Sequence, residues 1–138
     1  MYRLNRMTLA NLAISLFLIL PSLAISADGP RVIEVTATKD AKWKVAGEKE
    51  PIIRVKAGEV IRLKITSFKG SMFEKDGTTH SFTVREFADQ GWDLRLKTGT
   101  EEFTLVVPDK PGEYQIDCAV MCDPKRHFDM TAKLIITP

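Results

Sequence analysis

The sequence predicts an all-β domain, an antiparallel sandwich or barrel of short strands, from residue 28 onward. Apolar and polar residues alternate with a period of two in several short runs, as they do in strands that have one buried face. Turn-forming residues separate these runs at Ala57-Gly58-Glu59, Lys97-Thr98-Gly99 and Asp109-Lys110-Pro111-Gly112. No pattern typical of a helix of three or more turns occurs after residue 28, and this combination favours a sandwich or barrel.

The predicted strands follow one another along the chain. The apolar positions of the first three alternating runs are Ile33, Val35 and Ala37, then Ile61, Leu63 and Ile65, then Phe103, Leu105 and Val107. Between the second and third runs, residues 68–79 show no alternation and contain two glycines, which predicts a long loop that leads into a strand over residues 80–84. A strand ending at Cys118 and a closing strand over residues 133–137 complete the domain.

Residues 1–27 have the layout of an export signal. Arg3 and Arg6 precede an uncharged run from Thr8 to Ala27 that closes with small residues, the order of charged, apolar and cleavage regions in such signals. We predict cleavage near Ala27 and an exported, periplasmic or extracytoplasmic protein. An uncleaved membrane anchor is the alternative, because the run is about as long as the ~20 residues that span a bilayer. Residues 28–138 suffice for one domain with its own core.

The charge balance does not suggest a polyanionic partner. The chain has 20 basic and 18 acidic residues, and two of the basic residues lie in the signal segment, so residues 28–138 are formally neutral. A neutral domain gives no reason to expect nucleic acid or an anionic membrane surface as a partner. The membrane becomes a partner only if the N-terminal segment is retained.

The most informative motif lies near the C-terminus, where a short segment contains Cys118, Cys122, His127 and Met130. Two thiols, an imidazole and a thioether form a soft ligand set that favours copper. The chain has two Cys and two His in all, and the remaining one is His80, at the start of a predicted strand. We therefore expect one copper site.

Strand register supports this expectation. Residues two apart on a strand share a face, so His80, Cys118 and Met130 each belong to an apolar face that points toward the core. His80 and Met130 lie where strands begin, whereas Cys118 lies where one ends. Neighbouring up-and-down strands would place all three at one end of a sandwich, and Cys122 and His127 would reach it on the connecting loop.

The turn Pro111-Gly112-Glu113-Tyr114 that runs into Cys118, the upstream His80-Ser81-Phe82 and the closing strand resemble the same segments of cupredoxins. Cupredoxins are copper-binding Greek-key β-sandwiches. The spacing Cys118-x-x-x-Cys122 followed by His127-x-x-Met130 resembles, more narrowly, the CuA domain of cytochrome oxidase subunit II and nitrous oxide reductase, which holds two coppers.

This resemblance implies a ligand set and a function. Cys118 and Cys122 would bridge two coppers, His80 and Met130 would complete one metal, and His127 with the backbone carbonyl of Val120 would complete the other. The protein would be an electron carrier rather than an enzyme. Its partner would be a redox protein such as a c-type cytochrome or a terminal oxidase.

The sequence departs from the CuA pattern in three ways. Four residues, 123–126, separate Cys122 from His127 where the family has three, so we expect a bulged loop or a different approach of His127. Val120 stands where oxidase subunits have Glu. The paired membrane helices and the tryptophan-rich segment of an ordinary oxidase subunit II are missing from the sequence, which favours a standalone exported domain.

The residues leave several alternatives open. The two cysteines are also compatible with a disulfide in an exported chain. A mononuclear blue-copper site would use His80, Cys118, His127 and Met130 and leave Cys122 spare. A periplasmic copper carrier or assembly factor would use the same thiols to take up and pass on copper. Met121 and Met72 are expected in loops, where packing is their more common role.

Overall fold

The computed structural model describes residues 29–138; the predicted signal segment lies outside the described residues. The described chain forms nine strands, β1 Arg31–Ala37, β2 Trp43–Val45, β3 Ile52–Lys56, β4 Val60–Ser67, β5 Thr78–Thr83, β6 Asp93–Lys97, β7 Gly99–Val106, β8 Gly112–Asp117 and β9 Thr131–Thr137. Its helices are two short 3₁₀ segments, Arg85–Gln90 and His127–Asp129. Between residues 29 and 138, none of the helices has the length and apolar character needed to cross a membrane.

The strands form two sheets, with the orders β2-β1-β4-β7 and β3-β9-β8-β5-β6. This arrangement confirms the predicted all-β Greek-key sandwich. The expectation of purely antiparallel pairing was wrong, because β1 pairs with β4 and β3 pairs with β9 in parallel. The physical reason is the path of the chain, which leaves the first sheet after β2, contributes β3 to the second sheet and returns beside β1 in the same direction.

The core lies between the inner faces of the two sheets. In β4, Ile61, Leu63 and Ile65 are fully buried and alternate with exposed or half-buried residues. Ile116 in β8 and Leu134 in β9 supply the same pattern from the opposite sheet. Complete burial of one such side chain contributes about 1.5–3 kcal/mol, so the period of two in the sequence is the main determinant of the fold.

Strand β5 differs from the others because all six of its residues are buried. Its second face is polar and is covered by loops, and its hydroxyl groups are hydrogen-bonded there. Thr79 Oγ1 accepts a hydrogen bond from Gly70 N at 2.7 Å, and Ser81 Oγ accepts one from Ala119 N at 2.7 Å. These bonds offset the penalty for burying the hydroxyls and fasten two loops to the strand that carries His80.

Candidate metal centre

The loop between β8 and β9 carries five of the six predicted site residues. Cys118 directly follows β8 and Met130 directly precedes β9, and the two strands close with Asp117 opposite Thr131. Cys118 and Met130 therefore lie at the same end of the sandwich. Residues 119–129 leave this end and return to it, which keeps Cys122 and His127 close to both.

The neighbouring strand β5 brings His80 to the same end. It runs antiparallel to β8, with Thr83 opposite Asp117, so its first residues extend beyond the end of β8. Ser81 N donates a hydrogen bond to the Cys118 sulfur at 3.5 Å. His80, the third residue of β5, then lies beside residues 118–130, which we call the cysteine loop.

The sulfur atoms form a compact buried cluster. Cys118 Sγ and Cys122 Sγ are 3.5 Å apart, and Met130 Sδ is 3.7 Å from Cys122 Sγ. The ligand atoms of His80, Cys118 and Cys122 all lie within 4.8 Å of one another. Both cysteines are free thiols. Two thiols, a thioether and an imidazole in one buried cluster match the preference of copper for soft ligands.

The orientation of His80 suits a metal ligand. Its Nε2 lies 2.8 Å from the backbone oxygen of Phe68, so the ring donates its proton there and Nδ1 carries the free lone pair. That Nδ1 atom is buried and has no hydrogen-bond partner among the described residues. An unsatisfied buried polar atom costs about 1–3 kcal/mol, and a metal ion bound at Nδ1 would remove this cost. A metal-binding His has the same arrangement, with its second nitrogen fixed by an outer hydrogen bond.

His127 and Val120 occupy the border of the cluster. His127 is half-buried, and its Nδ1 lies 3.8 Å from Cys122 Sγ. The backbone oxygen of Val120 lies 3.3 Å from Cys118 Sγ, whereas the Val120 side chain is buried in the core. The His80 ligand atom lies within 4.8 Å of both sulfurs, whereas the sulfur contact of His127 is with Cys122.

The additional residue between Cys122 and His127 is absorbed by a turn. Asp123 Oδ1 accepts hydrogen bonds from the backbone amides of Lys125 at 2.8 Å and Arg126 at 2.9 Å. The backbone oxygen of Asp123 accepts a third bond, from His127 N at 3.0 Å. This capped turn leads directly into the 3₁₀ helix that begins at His127, so the longer spacing still leaves the imidazole within reach of Cys122.

The two thiols affect each other's ionisation through the hydrogen bond between their sulfur atoms. A hydrogen bond between the sulfurs stabilises a thiolate at Cys118 and lowers the pKa of that residue to about 4, although burial opposes the shift. The same hydrogen bond, together with burial, raises the pKa of Cys122. The protein groups alone thus favour one negative charge on the pair. A bound cation would favour the second thiolate.

A segment that the sequence analysis did not identify as part of the site, residues 68–72, covers the cysteine loop. The Cys122 backbone oxygen accepts a hydrogen bond from Met72 N at 3.0 Å and a weaker one from Ser71 Oγ at 3.4 Å. Gly70 lies so close that a Cβ atom added there would be 2.5 Å from the same oxygen. Gly70 in an unpatterned stretch just before His80 was the available signal, but its partner is distant in sequence.

A surface cavity of 330 Å³ adjoins the cluster and is lined by Cys118, His127, Met130, Arg85, Gln115, Asp117 and Phe128. Arg85 donates to Asp117 at 3.0 Å at its border. The cluster is therefore buried beneath the strand ends on one side and approached by a cavity on the other.

Comparison with known proteins identifies the architecture. A heme-copper terminal oxidase chain superimposes with a TM-score of 0.56 at 17% identity, over 79% of this chain and 66% of that one, so this chain spans slightly less than two thirds of its length. An auracyanin from Roseiflexus castenholzii gives a TM-score of 0.52 at 15% identity, over 80% of this chain and all of that one. The chain has a cupredoxin-like fold.

A third cupredoxin-like structure is the periplasmic domain of cytochrome oxidase subunit II from Bradyrhizobium japonicum, with a TM-score of 0.50 at 15% identity over 78% of this chain and 83% of that one. No protein-family model matches the sequence, and no curated protein matches it significantly. The neighbours include both oxidase domains and auracyanins, so the cupredoxin-like fold alone does not fix the number of metal ions.

Proposed function

We propose that this cupredoxin-like domain binds two copper ions in a CuA-like centre and transfers single electrons. The observation that carries the proposal is a pair of buried thiols 3.5 Å apart with two imidazoles beside them, His80 within the buried cluster and His127 at its border next to Cys122. A mononuclear site on Cys118 needs His127 near Cys118, whereas the sulfur contact of His127 is with Cys122. The second thiol and its own imidazole are better explained by two metals.

In this proposal Cys118 and Cys122 would supply the bridging thiolates, His80 and Met130 would complete one metal, and His127 with the Val120 carbonyl would complete the other. Two coppers held by shared thiolates would share one unpaired electron, which would keep the change in bond lengths on reduction small. The protein holds the ligands at strand ends, orients His80 through the Phe68 carbonyl and buries both cysteines. The donor set gives no reason to propose catalysis, because protein atoms supply every proposed ligand.

The decisive experiment is the copper content of the purified protein together with its EPR spectrum. We expect two coppers per chain, a purple absorption and a hyperfine pattern from one electron shared by two copper nuclei. One copper per chain with a blue absorption would replace the dinuclear centre by a mononuclear one. Protein isolated without copper, which also fails to bind added Cu(I), would reject the copper site itself.

Copper delivery is a second candidate function, and the cavity that reaches Cys118, His127 and Met130 favours it. A carrier must release its ion, whereas an electron carrier must retain it. The copper-loaded protein should therefore be challenged with a strong Cu(I) chelator. Loss of copper within minutes would support delivery, and retention over hours would support electron transfer.

We also propose that the domain works outside the cytoplasm with a redox protein partner, such as a c-type cytochrome or a terminal oxidase. The export-signal layout of residues 1–27 supports the location. The similarity of the fold to a domain described as periplasmic supports it as well. Mixing the reduced protein with an oxidised c-type cytochrome and following the cytochrome absorbance would test this class of partner.

A further inference from the structure

The three methionines between residues 29 and 138 all lie at the end of the sandwich that carries the cysteine loop. Met130 is fully buried within the sulfur cluster. Met72 and Met121 are instead 43% and 44% exposed, so part of each side chain is open to solvent. The proposed electron-transfer site uses neither of these two thioethers.

Both exposed methionines are attached closely to Cys122. Met121 precedes it in the chain, and the backbone amide of Met72 donates to the Cys122 carbonyl at 3.0 Å. The bond from Ser71 Oγ to Asp123 Oδ2 at 2.9 Å and the tight approach of Gly70 hold the two segments together. The backbones of Met72 and Met121 are thus held close to Cys122 by contacts between distant parts of the sequence.

The buried sulfurs expose little surface to an incoming metal ion. Five residues between 29 and 138 carry sulfur, and Cys118, Cys122 and Met130 are at most 4% exposed. Met72 and Met121 are the exposed sulfur-bearing side chains between residues 29 and 138. Thioethers prefer Cu(I) to harder ions and carry no proton that must first be lost. They can bind Cu(I) weakly at the surface, whereas the buried thiolates bind it strongly.

We propose that Met72 and Met121 form a surface Cu(I)-acquisition site that passes the ion to the Cys118–Cys122 cluster. The binding step stands by itself, and the destination of the ion rests on the proposed function. The transfer is a ligand exchange in which Cu(I)–thioether bonds break, a Cu(I)–thiolate bond forms at Cys122 and the thiol proton leaves to solvent. Copper stays Cu(I) throughout, so no oxidant or reductant is needed.

The first experiment measures the rate at which the reduced, copper-free protein takes Cu(I) from a coloured bicinchoninate complex. The Met72→Leu/Met121→Leu variant keeps the apolar surface and removes both sulfurs. We expect its loading to slow by about tenfold, the effect of losing about 1.4 kcal/mol of stabilisation at the rate-limiting step. The final copper content should be unchanged. Phe73→Leu, at an exposed apolar position in the same loop, is the control and should load at the normal rate.

The second experiment tests binding without the buried site. In a Cys118→Ser/Cys122→Ser variant with ¹³C-methyl methionine, we expect one equivalent of Ag(I), a redox-inert substitute for Cu(I), to shift the Met72 and Met121 methyl signals. The amide spectrum reports whether this variant is folded, and the corresponding double Ala variant replaces it if it is not. A shift of the Met130 signal with Met72 and Met121 unchanged would contradict the proposal.

The outcomes separate the two hypotheses. Normal loading of the double Leu variant together with unshifted Met72 and Met121 methyls would overturn the acquisition site and leave the electron-transfer proposal intact. Shifted methyls in a protein whose cysteines never bind copper would support the surface site and overturn the proposed function. Slow loading and shifted methyls together would support both.

Discussion

Gly70 is where the segment covering the site comes closest to the cysteine loop. Its backbone is held by a bond from Gly70 N to Thr79 Oγ1, and the position of a Cβ atom would fall 2.5 Å from the Cys122 oxygen and 3.3 Å from its carbonyl carbon. Real Cβ atoms do not approach backbone so closely, and a carbonyl cannot rotate away as a side chain can. The smallest residue is therefore required by proximity at this point.

Gly70→Ala should accordingly destabilise the copper-free protein by about 1–3 kcal/mol, the range for overpacking. Urea unfolding measures this free energy. The matched control is Gly29→Ala, because Gly29 has no atom within 4 Å of the corresponding Cβ position. Equal stabilities of the two variants would show that the segment and the cysteine loop are not in close contact.

Cys122 distinguishes the dinuclear centre from its mononuclear rival. Cys122→Ser should reduce the copper content from two to one per chain, because a serine hydroxyl does not provide the soft, deprotonated bridge that a thiolate provides. The accompanying control is Cys118→Ser, which removes the thiol that both hypotheses require. An unchanged blue spectrum after Cys122→Ser, with loss of the spectrum after Cys118→Ser, would contradict the dinuclear centre.

The sequence identified the candidate ligands more readily than the groups that position them. His80, Cys118 and Met130 are conspicuous in type and lie in apolar registers, and the structure brings the ligand atoms of His80, Cys118 and Cys122 within 4.8 Å of one another. The Phe68 carbonyl and Gly70 carry no such chemical signal. Their roles depend on a loop path that residue types alone do not determine.

At the level of elements, predictability followed the length of the alternating pattern. Strands β1, β4 and β7 each have seven or eight residues and were predicted from three apolar positions apiece. Strands β2, β3 and β6, with three to five residues, were not identified individually. Parallel pairing was also missed, because the partners β3 and β9 are separated by most of the domain and local periodicity contains no information about which strands pair.

Strand β9 is the element on which the second sheet depends most. Leu134 is fully buried and faces Ile53 of β3 on one side and Tyr114 of β8 on the other. Leu134→Ala should lower the free energy of unfolding by about 2–5 kcal/mol, since it removes core contacts and leaves a cavity. Val106→Ala, on a strand residue that is 62% exposed, should change it by less than about 1 kcal/mol. Denaturant unfolding of both variants, in the absence of copper, compares the two positions, and a Leu134→Ala cost near zero would contradict the core register.

At the level of the whole chain, the predicted export signal in residues 1–27 can be tested on the native product. If the segment is an export signal, the native product should begin at or near Asp28 and remain soluble without detergent. Intact-mass measurement of the protein recovered from the envelope fraction decides between cleavage and retention. A product that still begins at Met1 and needs detergent for extraction would establish a membrane-anchored domain instead.

Copper should also strengthen the whole fold. The proposed ligands come from β5, from the end of β8, from the start of β9 and from the loop between them, so a bound metal ties the β8–β9 pair to β5, which pairs with β8 only at Thr83 and Asp117. An ion that binds only the native state stabilises it in proportion to the logarithm of its concentration relative to Kd. At 100 times Kd this amounts to about 2.7 kcal/mol, which raises the thermal midpoint of a domain this size by about 10 °C. Scanning calorimetry under reducing conditions compares the copper-loaded and copper-free protein, with the Cys118→Ser/Cys122→Ser variant as the control that should not respond. Coincident midpoints for the loaded and copper-free wild type would show that no copper site is formed by the native fold.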